Sequence, residues 1–224
     1  IERQQVCIKE LPDNFNGYRI VQLTDLHLGS YGEHYPGIKK LVEEVNALNP
    51  DLIVFTGDMV NSFASEMNPW IDQLKELKAK YGVYSSTGNH DYGTYVRWAT
   101  REEQADNLKQ FFKNMEAAGF HMLNNTNVPL VIDTDTIYLA ENCGRPPFPC
   151  FGNLPQALQG TEGHTVILLS HDPSHWRDEV IRYPVALMLA GHTHAMQIGI
   201  QIGSFRWSPS KYIYPEYNGL YETN

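Results

Sequence analysis

The sequence predicts an α/β fold, with mainly parallel or mixed sheet covered by helices on the outside. Short apolar runs alternate with amphipathic helical patterns, the alternation is most regular up to Gly119, and no internal repeat or low-complexity linker divides the chain. Strands that alternate with helices are joined by crossovers, which lay the helices over the faces of a sheet.

In chain order, "YRIVQLTD" supplies a first strand from Tyr18 to Thr24. "YPGIKKLVEEVNALNP" follows as a helix, with Ile38, Leu41, Val42 and Val45 at helical spacing and Pro50 just past its end. "DLIVFTGD" is a second strand, and "NPWIDQLKELKAK" a second helix with Ile71, Leu74 and Leu77 on one face. "YGVYSSTGNHD" gives a third strand, and "REEQADNLKQFFKNMEAAG" the longest helix, closed by Gly119 at the C-terminal cap. The first half therefore reads βαβαβα. Beyond Gly119, "VPLVID", "DTIYLAEN", "TVILLSHD" and "VALMLAGH" are short strands separated by turns or by brief helices such as "LPQALQG" and "PSHWRDEVIRY". "CGRPPFPCFGN" holds three prolines and reads as a rigid loop, and the tyrosine-rich tail from Phe205 has weak periodicity.

Composition narrows the class. Apolar residues make up 42% and charged residues 19% of 224, which excludes a disordered chain and allows one substantial core, so residues 1–224 are expected to form a single domain. A net charge of -9 speaks against a nucleic-acid surface, and a small anionic substrate would need local positive charge. Cys7, Cys143 and Cys150 are too few and too unevenly spaced for a disulfide framework or a zinc ribbon, and pairing of Cys143 with Cys150 stays open. No run reaches the ~18 apolar residues of a membrane span, and no signal-peptide pattern is present. The start at Ile1, without an initiator methionine, suggests a cut or processed piece whose parent protein could carry an anchor or leader.

The chemistry lies where the strands end. Asp25 and His27 follow "IVQLT", Asp58 follows "LIVFTG", and Asn89, His90 and Asp91 follow "VYSSTG"; His171 follows "VILLS", and His192 and His194 follow "LMLAG". Ligands of α/β sheets bind outside the carboxyl ends of strands, so all five sets can share one rim. Residues two apart in extended chain lie ~6.6 Å apart on one side, and two ions of a dinuclear site lie ~3.5 to 4 Å apart. The pairs Asp25/His27 and His192/His194 can therefore converge on one ion or straddle two. Asp58 can bridge, having two carboxylate oxygens. Asp25, His27, Asp58, Asn89, His171, His192 and His194 then suit two ions of four protein ligands each. Taken singly, Asp-x-His is commonly a turn acid beside a histidine, "TGD" a helix N-cap, and Asn89 a turn residue. Five such sets in order after five strands make coincidence a poor account.

The order "DLH", "GD", "GNHD", "SHD", "GHTH", from Asp25 to His194, resembles the calcineurin-like metallophosphoesterases. The resemblance implies a four-layer α/β/β/α sandwich of two mixed sheets with outer helices, and a dinuclear site at one edge of the sheets. It assigns Asp25, His27, Asp58 and His194 to one ion, and Asp58, Asn89, His171 and His192 to the other. It also puts His90 near the scissile phosphate, with Asp91 as its orienting partner. The cadence is closer to bacterial membrane-associated members, including those resembling UDP-2,3-diacylglucosamine pyrophosphohydrolases, than to protein phosphatases. "GDMVN" lacks their "GDxVDRG" continuation, with Asn61 in place of the acid and Ser62 in place of the arginine. Ala195 stands where many bacterial relatives have glycine, and the end at Asn224 falls short of a further strand that relatives carry.

The expected reaction is hydrolysis of a phosphodiester or pyrophosphate. A water bridging two divalent ions would be acidified toward hydroxide and aimed in line, while His90 would stabilise the transition state or protonate the leaving oxygen. Mixed carboxylate, amide and imidazole ligation suits manganese, iron or zinc. The first substrate expected, by resemblance, is a nucleotide-sugar or lipid pyrophosphate, and the next a small phosphodiester or phosphomonoester. Arg145 could contact a phosphate. Phe148, Phe151, Trp207, Tyr212, Tyr214 and Tyr217 could shape a pocket or simply pack, and His34 is expected at the surface. An amidohydrolase would carry His-x-His on its first strand, not its last. The non-enzymatic alternative is a degenerate metal-binding module.

Overall fold

The structure, a computed structural model, describes residues 1–144, 152–194, 200–202, 205–207, 215–216 and 218–223. Strands β1 (Ile20–Leu23), β2 (Leu52–Thr56), β3 (Val83–Ser86) and β4 (His121–Met122) form one sheet in that spatial order, every pair parallel. Helices α1 (Gly37–Ala47), α2 (Ile71–Leu74) and α3 (Arg101–Ala117) are the crossovers between them. A second sheet contains β5 (Asn127–Ile132), β6 (Asp135–Glu141), β7 (Val166–Leu169) and β8 (Leu187–Leu189). This sheet is mixed. A hairpin joins β5 and β6, whereas β6, β7 and β8 run parallel, linked through α4 (Leu154–Ala157) and α5 (Ser174–Asp178). A separate antiparallel pair, β9 (Ile200–Ile202) and β10 (Phe205–Trp207), follows.

Side-chain alternation along the strands builds four layers. In β2, Leu52 and Val54 join a core shared with Leu130, Ile137, Leu139, Ile167 and Leu169 of the second sheet. Ile53 and Phe55 point the other way, into a core with Ile38, Val42 and Val45 of α1 and Phe111 and Met115 of α3. The second sheet repeats the pattern, with Ala140, Val166 and Leu168 packed outward against Leu154 and Val180. Successive residues of a strand face opposite sides, so a strand buried on both faces must be apolar throughout, as "LIVF" is. The layers are helices, sheet, sheet, helices.

The helix boundaries follow from local chemistry. Thr100 caps α3 by accepting from the Glu103 N–H at 3.1 Å. At the other end Gly119 has φ of +86°; its N–H donates to Glu116 O, and that of Phe120 to Met115 O, which is a Schellman closure. The second helix is shorter than its pattern predicts. After α2 the Asn46 side chain of α1 accepts from the Lys78 N–H and donates to Glu76 O, both at 2.8 Å, and draws the backbone out of the helix toward β3.

Candidate metal centre

All five polar sets lie just beyond the C-terminal ends of β1, β2, β3, β7 and β8. The chain turns abruptly there. Among the described residues eight non-glycines have positive φ, namely Asp25, His27, Asn49, Asp58, Asn125, Asp133, His192 and His194. Five of these are expected ligands. Left-handed backbone at such residues costs ~1–3 kcal/mol and persists only where surrounding contacts enforce it, typically at functional sites. Glycines make the crowding feasible. A methyl on Gly88 would run into the Asp58 carboxylate and N–H, one on Gly57 into the Gly88 backbone and the His171 ring, and one on Gly191 into Thr24 and Asp25.

The donor atoms fall into two groups, Asp25/His27/Asp58/His194 and Asp58/His171/His192, each with all its donors within 4.8 Å of one another. Asp58 belongs to both. In the first group His27 Nε2 lies 3.0 Å from His194 Nε2 and 3.6 Å from Asp58 Oδ2, and His194 Nε2 lies 3.3 Å from Asp25 Oδ1. In the second, His171 Nε2 lies 3.1 Å from the same Asp58 Oδ2, and the His192 ring packs edge-on against His171 at 5.1 Å. Asn89 Oδ1 is buried without a hydrogen-bond partner, and its peptide neighbour His90 donates N–H to Asp58 Oδ1 at 2.9 Å. A buried, unpaired carbonyl oxygen is costly unless a cation or donor answers it.

The ring tautomers are set from behind. His171 Nδ1 donates to Thr56 O at 2.6 Å, and His27 Nδ1 to Asn61 Oδ1 at 3.1 Å, because those oxygens can only accept. Both Nε2 atoms are thereby turned toward Asp58, the orientation expected of metal-ligating histidines held by a carbonyl. Burial would lower the His171 pKa, but the hydrogen bond and charge of Asp58 outweigh it and push it up to about 9. Burial likewise works to raise Asp58, which the His171 contact more than offsets, leaving it below the usual range. Burial holds His27 and His192 down. The Asp58–His171 pair thus balances its charge with a proton, and a divalent ion offers the same balance with more charge. The donor set fits such an ion.

His90 and Asp91 part company. His90 lines an open cavity of about 410 Å³ together with Asp25, His27, Ser30, Tyr31, Asn61 and His194. Its Nδ1 bonds to the Asn61 carbonyl at 2.7 Å, so Asn61 orients this ring too. Asp91 is fully buried, and its carboxylate accepts from the N–H groups of Asp58, Met59, Val60 and Gly88 at 2.8–3.2 Å. It ties the loop after β2 to the loop after β3. Burial, followed by the Asp58 charge, raises it to about 7. The partner that orients His90 is therefore the Asn61 carbonyl, where Asp91 was expected.

Two residues near the site carry no signal of their role in the sequence. Asn61 stood out only as a departure from "GDxVDRG". Tyr95 had no signal in "DYGTYVRW"; its ring stacks on His90 with centroids 4.3 Å apart, and its hydroxyl accepts from Asn89 Nδ2 at 2.7 Å. A third group looks catalytic without being so. Ser170 Oγ, His175 and Glu179 form a hydrogen-bonded chain at 3.0 and 3.1 Å, but Ser170 and His175 are fully buried and no ester could reach them. His34 is exposed. Cys143 is disulfide-bonded and Cys7 is free and exposed. Arg145, Phe148, Cys150, Phe151, Ala195, Tyr212, Tyr214 and Tyr217 lie outside the described residues, as does the Trp207 side chain.

Two sheets between helical layers, with carboxylate and imidazole donors converging at the strand ends, define a metal-binding α/β/β/α protein. The chain belongs to the calcineurin-like phosphoesterase family, whose profile matches residues 18–196. It is 32% identical over 206 residues to a zebrafish (Danio rerio) transmembrane protein with metallophosphoesterase domain, the match covering 87% of this chain and 44% of that one. It is 31% identical over 236 residues to the metallophosphoesterase YkuE of Bacillus subtilis, covering 100% and 74%. It is 28% identical over 235 residues to the UDP-2,3-diacylglucosamine pyrophosphatase LpxG of Chlamydia trachomatis, covering 85% and 68%. The chain spans less than half of the zebrafish protein and of its bovine counterpart, 44% and 48%. Among the described residues no helix is long and apolar enough to cross a membrane.

Proposed function

We propose that this chain hydrolyses a phosphodiester or pyrophosphate bond using two divalent metal ions that share Asp58. The observation that carries the reading is the membership of Asp58 in both donor groups. Asp25, His27, Asp58 and His194 would hold one ion, and Asp58, Asn89, His171 and His192 the other. Bound there, two ions supply an acidified water as nucleophile and positive charge for the phosphoryl oxygens. Manganese, iron and zinc all suit the donors.

The chain's own groups do the rest. His90 keeps a proton on Nδ1 because the Asn61 carbonyl can only accept. Nε2 is therefore the nitrogen that gains or releases a proton, and a protonated His90 can donate to the leaving oxygen from it. Asn61 holds both this ring and that of His27, and Glu66 in turn accepts the Asn61 N–H at 2.6 Å. The net charge of the chain is -9, so the ions and His90 would supply the attraction for an anionic substrate.

A nucleotide-sugar lipid is the first substrate proposed, on the similarity to a protein named as a UDP-2,3-diacylglucosamine pyrophosphatase. Exposed tyrosines Tyr31 and Tyr35, stacked at 4.6 Å beside the cavity, offer a surface for its non-phosphate part. Membrane association of the parent protein is proposed from relatives named as transmembrane proteins. The test combines metal analysis with hydrolysis of a bis-aryl phosphate, a mono-aryl phosphate and a panel of pyrophosphates. Metal-dependent turnover of the diester or a pyrophosphate is expected. Preference for the mono-aryl ester would redirect the reading to a phosphomonoesterase, and ion binding without turnover would favour a binding module.

A further inference from the structure

We infer that Tyr95 is a positioning residue that fixes Asn89 toward the metal centre and holds His90 in place. It lies in the loop between β3 and α3, and its side chain makes two contacts with neighbouring site residues. The hydroxyl accepts from Asn89 Nδ2 at 2.7 Å, and the ring lies on the face of His90 at 4.3 Å and 21°.

A side-chain amide has its oxygen and nitrogen on opposite sides of one carbon. Committing Nδ2 to the phenol therefore directs Oδ1 the other way, where it is buried and without a hydrogen-bond partner. Asn89 itself is 2% exposed, so the unanswered oxygen is not solvated. An amide nitrogen cannot ligate a cation, and in the orientation seen, with Nδ2 held by the Tyr95 hydroxyl, the amide oxygen is the atom left free to do so.

His90 is held on three sides. Asn61 O takes its Nδ1, His27 stands edge-on to it at 4.7 Å, and Tyr95 covers a ring face. The loop that presents Tyr95 is itself anchored, since Trp98 Nε1 donates to Gly93 O at 2.7 Å and Gln104 Nε2 to Tyr92 O at 3.0 Å. Tyr95 is 60% exposed, far too open for a residue retained to fill a core. Its contacts serve the site more than the fold.

The inference rests on the dinuclear reading proposed above, and the experiment separates the two. Mn²⁺ is titrated calorimetrically into the metal-stripped full chain, for wild type, Tyr95→Phe and Tyr95→Leu, and bis-aryl phosphate kinetics are measured at saturating Mn²⁺. Wild type is expected to take up two ions. Tyr95→Phe, which removes only the hydroxyl, should weaken one ion by about 10- to 100-fold, as loss of an outer-shell partner does, and leave the other unchanged. Tyr95→Leu should show the same metal defect and, at saturating metal, a further fall in kcat with KM little altered, because His90 has lost its stacking partner. Unaltered affinity for both ions in Tyr95→Phe, or equal weakening of both, would overturn the role of Tyr95 while the dinuclear reading stands. Uptake of fewer than two ions by wild type would overturn both.

Discussion

In the proposed mechanism His90 transfers a proton without holding a metal, and that division of labour can be tested by substitution. His90→Asn should keep both ions and lose at least 100-fold of turnover, the low end of what a positioned acid or base contributes (about 10²- to 10⁴-fold). Metal content falling together with activity would contradict the assigned role. Asp91 should behave differently, because its carboxylate accepts four backbone N–H groups and touches no substrate-facing ring in the described contacts. Asp91→Asn turns an NH2 group against amide donors and should cost about 1–3 kcal/mol of stability in a denaturant melt; unchanged stability with lost turnover would restore it as a catalytic partner. At this scale the candidate donors were legible as a set, since five polar groups in order after five strands are poorly explained by coincidence, and the structure brings six of those side chains into two donor groups. Asn61 and Tyr95 were not legible. Each acts through a carbonyl, a hydroxyl or a ring face whose target is distant in sequence or set by a loop turn, and no spacing rule encodes that.

At the scale of elements, the glycines at the strand ends are as specific as the ligands. Gly88 has no room for a methyl because Asp58 occupies that space. Gly88→Ala is expected to lose about 1–3 kcal/mol by overpacking and to weaken Mn²⁺ binding as Asp58 is displaced; wild-type metal affinity in that variant would show that the close approach is dispensable. Strands β1–β3 and β5–β8 and the first and third helices were readable because their patterns are long and the two helices end at Pro50 and Gly119. The second helix, Ile71–Leu74, is shorter than its apolar pattern implies. Its face is real, with Leu74 and Leu77 buried and Ile71 partly so, but Asn46 captures the backbone at residues 76 and 78, a long-range contact that a local pattern does not contain. Strand β4 was missed for a simpler reason, since two residues have no period.

For the whole molecule, the site exists because two sheets pack face to face and bring the carboxyl ends of their strands to one rim. His171 of the second sheet reaches Thr56 of the first, His192 donates N–H to Asp25 at 3.1 Å, and Gln22 donates to Ala190 O at 2.7 Å. Glu141, fully buried at the end of β6, crosses the same seam to accept from Ser86 Oγ at 2.7 Å. Burial raises its pKa to about 7, against the hydrogen bonds from Ser86 and the Asn125 N–H. The native state then keeps a proton that the unfolded chain, titrating near 4.3, has lost. That contribution is complete below about pH 4.3 and is lost as pH rises through about 7, so stability should fall across this window by on the order of 3 kcal/mol relative to Glu141→Gln. Chemical denaturation of both proteins at pH 5 and pH 8 checks the sign, and parallel pH profiles would contradict it.

The proposed dinuclear centre depends on one shared carboxylate, Asp58, and metal stoichiometry tests that sharing. Wild type and Asp58→Asn are saturated with Mn²⁺, desalted, and analysed for bound metal, with circular dichroism to establish that both are folded. Two ions per chain are expected in wild type, and loss of both from Asp58→Asn. Two tightly held ions in folded Asp58→Asn would contradict the sharing.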